Sequence, residues 1–470
     1  MPGINGGTTG EQWGNMVAGG TLAGRGVRLL AIGDVHLGTR PSRIPAILGD
    51  QVAGGLESLT PAAALKLTVD LALEEAVDAV LFAGDVVESA NARFEALPAL
   101  ESSVRRLVEA GIPVLGVAGN HDVEALPRLA DMIAGFKLLG RGGRWESSLL
   151  PPSGEPAVEI VGWSFPDQRV TVSPIRALLD APLISAAPRV PRIGLLHGDL
   201  DASGGSYAPF SRRELEDAGL DAWLLGHIHI PSLTPGMMPH GYLGSLVGLD
   251  PSETGAHGPW MVHVDGSGKI VPDQLPLAPL RWERFDLEVA EDQDPEDLAD
   301  RLGEEAERFA AKLVEDGSKH RVLGLRIRLV GSTRSAQALR DSVAREPWRN
   351  ILRSVSGTVV FIDKVQDQLE VAADLQALAK GQDPPGLLAR TLLTLEVPGE
   401  GRRELLGAAR EALGDLARDP RWSPVSEMRG ATDPLSDDAL VTCLRQSGMR
   451  ALQQLLDQRS QDPSAEEKHP

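Results

Sequence analysis

"LLAIGDVHLGTR", residues 29–40, sets an aspartate and a histidine two positions apart at the end of an apolar run. Such a run closed by Gly-Asp reads as a buried strand that stops at a turn. Four more runs repeat the arrangement: "DAVLFAGD" (78–85), "IPVLGVAGNHD" (112–122), "RIGLLHGD" (192–199) and "DAWLLGHIH" (221–229). Helical stretches separate most of them. One opens with Thr60 as N-cap and Pro61 in the first turn, and sets Leu65, Val69, Ala72, Leu73 and Ala76 on one face. Strand and helix in alternation predict a layered α/β domain. "AVEIVGW", "GYLGSL" and "PWMVHVD" read as further strands, expected in a second sheet packed on the first.

Each of the five runs ends in residues that ligate metals: Asp34 and His36, Asp85, Asn120 and His121, His197, then His227 and His229. In layered α/β domains ligands gather at the carboxyl ends of strands, so these side chains converge if their strands share a sheet. Carboxylate, amide oxygen and imidazole form a mixed O/N set that suits Mn, Fe or Zn better than Mg or Ca. The one cysteine, Cys443, excludes an internal disulfide, and a set without thiolates disfavours a structural zinc. So many ligands imply two ions sharing a carboxylate, roughly 3.5–4 Å apart, a geometry that clamps a phosphate.

The chain has 470 residues, and domain sizes make two to four domains the expectation. Its formal charge of −20 argues against coating nucleic acid by bulk electrostatics, so a polyanion must meet a local patch or a metal. Arg outnumbers Lys 38 to 8, which favours forked phosphate contacts wherever such patches exist. No window approaches the roughly 18 apolar residues of a membrane span, and the N-terminus lacks a signal-peptide pattern, so the cytoplasm is the expected compartment.

Residues 1–26 are Gly-rich without apolar period and read as a disordered leader; 27–280 form the main domain. From 281 to 365 the pattern is a small βαβ module capping the metal cleft. Leu323, Leu325, Ile327 and Leu329 alternate there with Gly324, Arg326 and Arg328, so one sheet face is apolar and the other offers guanidinium groups or pairs them with nearby acidic helices. "KGQDPPG" reads as a linker within a helical region, 366–470. Its helices carry apolar stripes, Leu405, Leu406, Ala409, Leu413 and Leu416, then Leu440, Val441, Leu444, Leu452, Leu455 and Leu456. The stripes suit burial against each other or against a partner's coiled coil.

The ordered set GDVH, GD, GNHD, HGD and GHIH resembles the calcineurin-like metallophosphoesterases. "DVHLGT", "LLHGDLDASGGSYAPFSRRELEDAGLDAWLLGHIH" and "GYLGSLVGLDPSETGAHG" resemble the SbcD-type nuclease subunits of DNA repair within them, especially a YhaO-like branch. The resemblance implies a layered sandwich of two β-sheets flanked by helices, with a small α+β capping domain and a helical C-terminal region. It places Asp34, His36, Asp85 and His229 on one metal and Asp85, Asn120, His197 and His227 on the other. His121 is implied above the phosphate as general acid or hydrogen-bond donor, oriented by Glu88, three residues after the bridging Asp85.

The function so implied is a Mn-dependent DNA nuclease, exo or endo, with Fe or Zn as alternative metals. Its partners would be DNA and an SMC-like ATPase bound by the helical region, with homodimerisation through the catalytic domain. Arg212 and Arg213 are either DNA contacts or an ordinary solvated helix face. The alternatives are a phosphodiesterase or phosphatase for small phosphoesters, and a scaffold subunit without catalysis.

Overall fold

The computed structural model describes residues 26–91, 95–151, 157–185, 187, 190–202, 204–417 and 435–461. The leader expected over 1–26 lies outside these residues except for Gly26. The chain divides into two compact units, the first made of 1–283, 307–325 and 352–363, the second of 284–306, 326–351 and 364–470.

The first unit begins with β1 (Val27–Ile32), α1 (Pro61–Glu74), β2 (Ala79–Ala83), α2 (Leu97–Glu109), β3 (Val114–Val117), α3 (Ala125–Met132) and β4 (Phe136–Leu138). Then come β5 (Trp145–Leu150), β6 (Val158–Trp163), α4 (Pro174–Asp180), β7 (Arg192–His197), α5 (Arg212–Asp217), β8 (Ala222–Gly226) and β9 (His240–Tyr242). Two further strands, β10 (Trp260–Val264) and β11 (Ile270–Gln274), follow. Thr60 caps α1 by accepting from the Ala63 amide, and Pro61 occupies its first turn.

Two sheets form the layers. One runs β11-β10-β1-β2-β3-β4, with β1 to β4 parallel and β10 antiparallel to β1. The other runs β5-β6-β7-β8-β9, parallel from β6 onward. The period of two along each strand divides its apolar side chains between two cores. Leu29, Ala31, Leu81, Leu115 and Val117 meet Ile160, Ile193, Leu195 and Leu224 between the sheets. Leu30, Ile32, Val80, Phe82 and Val114 face the other way, under α1 and α2 with Leu65, Val69, Leu100 and Val104. Beneath the second sheet, Trp163, Leu196, Trp223 and Leu225 pack on Ile175 and Leu215 of α4 and α5. Strands buried on both faces must be apolar throughout, which is why these runs carry no alternation.

Two expectations change here. "PWMVHVD" supplies β10 of the first sheet, not a strand of the second, because it hydrogen-bonds β1 from Val27↔Val264 to Ala31↔Trp260. The five ligand-bearing runs do not share one sheet: β1, β2 and β3 lie in the first and β7 and β8 in the second. The sheets pack with β2 and β3 on β7, so strand ends from both reach the same place.

After β11 come β12 (Leu280–Glu288), α6 (Leu298–Glu315), β13 (Val322–Thr333), α7 (Ala336–Ala344), β14 (Leu352–Val355) and β15 (Thr358–Val371). Their sheet has the order β12-β13-β15-β14, and β15 continues to Val371, past the boundary expected near 365. On β13, Leu323, Leu325, Ile327 and Leu329 are fully buried, and Arg328 is engaged by both carboxylate oxygens of Asp286 at 2.6 Å. That acid sits on the strand β12 rather than on a helix.

The segment read as a linker is the start of a helix. Asp383 accepts from the Gly386 amide as N-cap of α9 (Pro384–Glu396), with a short α8 (Leu375–Leu378) before it. Pro at the first helical positions opens this helix instead of breaking the chain. In α10 (Glu400–Ala417) and the C-terminal helix Asp437–Gln461, part of the two stripes packs together: Leu406, Ala409 and Leu440 form a core with Leu413, Val441 and Leu444 around it, while the side chain of Leu416 lies outside the described residues. Among the described residues no helix is long and apolar enough to cross a membrane.

Candidate metal centre

The site lies where β1, β2, β3, β7 and β8 end, and the chain bends sharply to build it. His36, Asp85 and His227 take positive φ values of 51°, 48° and 110°. Side chains other than Gly avoid this region, so its use at three expected ligands spends folding stability on placing them. Two glycines make the approach close enough. A Cβ on Gly84 would lie 2.6 Å from His197 Nδ1, and one on Gly119 would lie 2.2 Å from Asp85 Oδ1.

Asp34 and His197 are fully buried, with Asp85 and His36 close behind. Asp34 Oδ1 accepts from the His227 amide at 2.9 Å, while its buried Oδ2 accepts no hydrogen bond among the described residues. His36 Nε2 and His229 Nε2 face each other at 3.1 Å. Asp85 Oδ2 lies 3.2 Å from His197 Nε2 and 3.9 Å from His36 Nε2, while Oδ1 accepts from the His121 amide at 2.9 Å. Asn120 Oδ1 comes within 3.1 Å of the same His197 nitrogen. Ligand atoms of Asp34, His36 and His229 lie within 4.8 Å of one another, as do those of Asp34, Asp85 and His197. The structure therefore brings six of the seven expected ligands into one cluster. The seventh, His227, sits with its ring 5.2 Å from that of His197, its Nε2 taken by Asp199 Oδ1 at 3.1 Å.

The charges in the cluster reinforce one another. Burial pushes the Asp85 carboxyl up, but the charge and hydrogen bond of His197, with His36 and His121 behind, hold it far below the usual carboxylate range. Burial presses the His197 imidazole down, yet Asp85 and Asp34 outweigh it and push it up to about 9. The set thus selects positive charge at its centre.

This arrangement fits divalent cations. A fully buried carboxylate oxygen with no donor is costly in a folded protein unless a cation meets it. The surrounding donors are imidazole nitrogens and carboxylate oxygens with no thiolate, a mixed O/N set that suits divalent cations. Cys443 is exposed on the C-terminal helix.

His121 stands apart from the buried ligands, its side chain 47% exposed. Its Nδ1 lies 3.1 Å from Glu88 Oε2, and the same oxygen is 3.6 Å from His36 Nδ1. The hydrogen bond to His36 and the charges of both rings lower the Glu88 carboxyl against its partial burial. A carboxylate on Nδ1 fixes the ring and leaves its other nitrogen for a substrate.

Three acids that sequence reading did not assign complete the site. Asp122 is fully buried and accepts from the amides of Gly119 and Val86, both at 2.7 Å, tying the loop after β3 to the loop after β2. Burial and the Asp85 charge push its carboxyl up to about 7 against those two hydrogen bonds. Asp199 holds His227, and Glu253 Oε1 lies 2.8 Å from His229 Nδ1. Asp122 and Asp199 stand inside the quoted motifs, GNHD and HGD, which was the available signal.

Residues 27–231 match the calcineurin-like phosphoesterase family, and residues 282–370 match the middle domain of metallophosphoesterase YhaO. The uncharacterized metallophosphoesterase YhaO of Bacillus subtilis (strain 168) is 29% identical over 252 residues, 49% of this chain and 55% of the relative. The DNA double-strand break repair protein Mre11 of Aeropyrum pernix is 28% identical over 254 residues, 52% of this chain and 59% of the relative. The chain thus matches little more than half the length of these relatives. A dimetal phosphatase from Danio rerio aligns over 52% of this chain and 98% of its own, at 15% identity and a TM-score of 0.32. The chain carries a calcineurin-like metallophosphoesterase domain followed by a YhaO-like middle domain, and it is homologous to YhaO and Mre11.

Proposed function

We propose that this metallophosphoesterase domain is a Mn-dependent phosphodiesterase with two metal ions, and that its substrate is DNA. The carrying observation is the pair of ligand groups, Asp34–His36–His229 and Asp34–Asp85–His197, which close around a buried Asp34 carboxylate oxygen that accepts no hydrogen bond among the described residues. Asp34, His36, Asp85 and His229 would hold one ion, and Asp85, Asn120, His197 and His227 the other. The position of Asp85 Oδ2 near both His36 and His197 supports its shared role. Bound there, the ions would supply a water activated for attack and neutralise charge growing on the phosphoryl oxygens.

The chain's own residues do the rest. Glu88 Oε2 accepts a hydrogen bond from His121 Nδ1–H and orients the ring, the proton staying on the nitrogen, so that the proton for the substrate is the one on Nε2 of the doubly protonated ring. His121 then offers Nε2 to the substrate, where it either delivers a proton to the leaving oxygen or holds a phosphoryl oxygen. Phosphodiester hydrolysis in DNA is supported by the likeness to a DNA double-strand break repair protein. We place the enzyme in the cytoplasm with an SMC-like ATPase as partner. Because Leu406, Ala409 and Leu440 of the apolar stripes pack into one core, the ATPase would meet faces outside that core, where Leu387 and Val397 are exposed.

The charge of −20 favours one rival, a phosphodiesterase or phosphatase for small phosphoesters. The assay compares linear DNA, cyclic nucleotides and a chromogenic phosphodiester, each with Mn. Degradation of linear DNA faster than cyclic nucleotides is expected. Turnover of cyclic nucleotides or monoesters with DNA left intact would favour the rival, and no turnover of any substrate would make the chain a scaffold.

A further inference from the structure

The stretch "GYLGSLVGLDPSETGAHG" (241–258) contains none of the expected ligands, yet it folds back onto one of them. Glu253 is 9% exposed, and its two carboxylate oxygens face different ways. Oε1 lies 2.8 Å from His229 Nδ1, whereas Oε2 accepts from the Leu249 amide at 2.8 Å and from the Ser245 hydroxyl at 3.2 Å. The loop is braced from within. His257, buried, sets Nδ1 3.0 Å from the Ser245 carbonyl and Nε2 3.1 Å from the Glu253 carbonyl. Its strap to the motif is the Ser245 amide, which donates to the His229 carbonyl at 2.9 Å.

The geometry points to Glu253 as a positioning residue of the metal centre. By accepting a hydrogen bond from Nδ1–H it fixes one tautomer of His229 and turns the lone pair of Nε2 toward Asp34 and His36. A carboxylate of this kind also raises the basicity of the nitrogen that ligates. His229 needs such a hold more than His197 does, because its side chain is 29% exposed where that of His197 is sealed. The anchoring at Oε2 matters equally, since a carboxylate free to swing would not hold the ring. The inference rests on the metal-centre reading above.

The test is calorimetric titration of the full chain with Mn, together with thermal unfolding of the metal-free protein. Glu253→Gln keeps the size but puts an amide NH2 opposite a donor at one end or the other. One of the two ions should bind about 10–100-fold more weakly, the scale of lost carboxylate support for a ligating histidine. The other ion should keep its affinity, with the metal-free unfolding temperature close to that of wild type. Ser245→Ala leaves the carboxylate but removes one of its anchors, and should fall between wild type and Glu253→Gln. If Glu253→Gln does not fold, Ser245→Ala decides alone. Wild-type affinity for both ions in the variants that fold overturns the inference. So does an equal loss for both ions accompanied by a lowered unfolding temperature, which would make Glu253 a brace for the loop and nothing more. A wild-type chain that binds no Mn at all overturns the metal-centre reading itself.

Discussion

At the scale of single residues, buried charge and exposed charge divide the work. Asp34, Asp85 and His197 are sealed from solvent, while His121 stays half open beside them. His121→Ala should therefore leave both ions bound and lower the rate of phosphodiester hydrolysis about 10²–10⁴-fold, the range for a lost proton donor. Loss of an ion in that variant would reassign His121 as a ligand. His197 supplies a pH dependence whose sign can be worked out. Its pKa stands at about 9 against 6.5 for a free imidazole, so at pH 7 the metal-free protein holds a proton that an incoming ion must expel. Mn affinity should rise with pH until about 9, with net proton release detectable in buffers of different ionisation enthalpy. The same shift stabilises the metal-free fold fully below about 6.5 and is lost as pH climbs through 9. An affinity flat between pH 7 and 9 would contradict both statements.

At the scale of elements, the loops after the strands carry the strain and the strands hold them. Gly119→Ala would drive a methyl to 2.2 Å from Asp85 Oδ1, and the Asp85 amide lies only 2.9 Å away, so side chain and backbone must both give. We expect weakened Mn binding and a lowered unfolding temperature, measured by calorimetry and melting. Gly407→Ala is the control: nothing lies within 4 Å of its Cβ on α10, and alanine in a helix should stabilise by about 0.5–1 kcal/mol. The same contrast explains what the sequence made legible. Layered α/β architecture could be read because β1, β2, β3, β7 and β8 are buried on both faces and so stand out as unbroken apolar runs. Allocation of strands to sheets was not legible, since β10 pairs with β1 across more than two hundred residues and its apolar pattern suits either sheet. The helix α9 was hidden by "DPPG", where Asp-Pro serves as helix start as readily as it serves a turn. Glu253 escaped notice because its partner His229 lies 24 residues away and no periodicity links the two.

At the scale of the whole molecule, two packed sheets with a shared apolar layer bring strand ends from residues 34 to 229 to one centre. That layer is largely aliphatic, with Ala31, Ala83, Val117, Leu195 and Leu224 among its buried residues. That convergence would hold two metal ions, on which hydrolysis of any phosphodiester by this chain depends. The most direct measurement is an anomalous difference map from crystals grown with Mn. Two peaks roughly 3.5–4 Å apart are expected. One should be ligated by Asp34, His36 and His229 and the other by Asn120, His197 and His227, with Asp85 touching both. A single peak, peaks away from these residues, or none would contradict the two-metal centre.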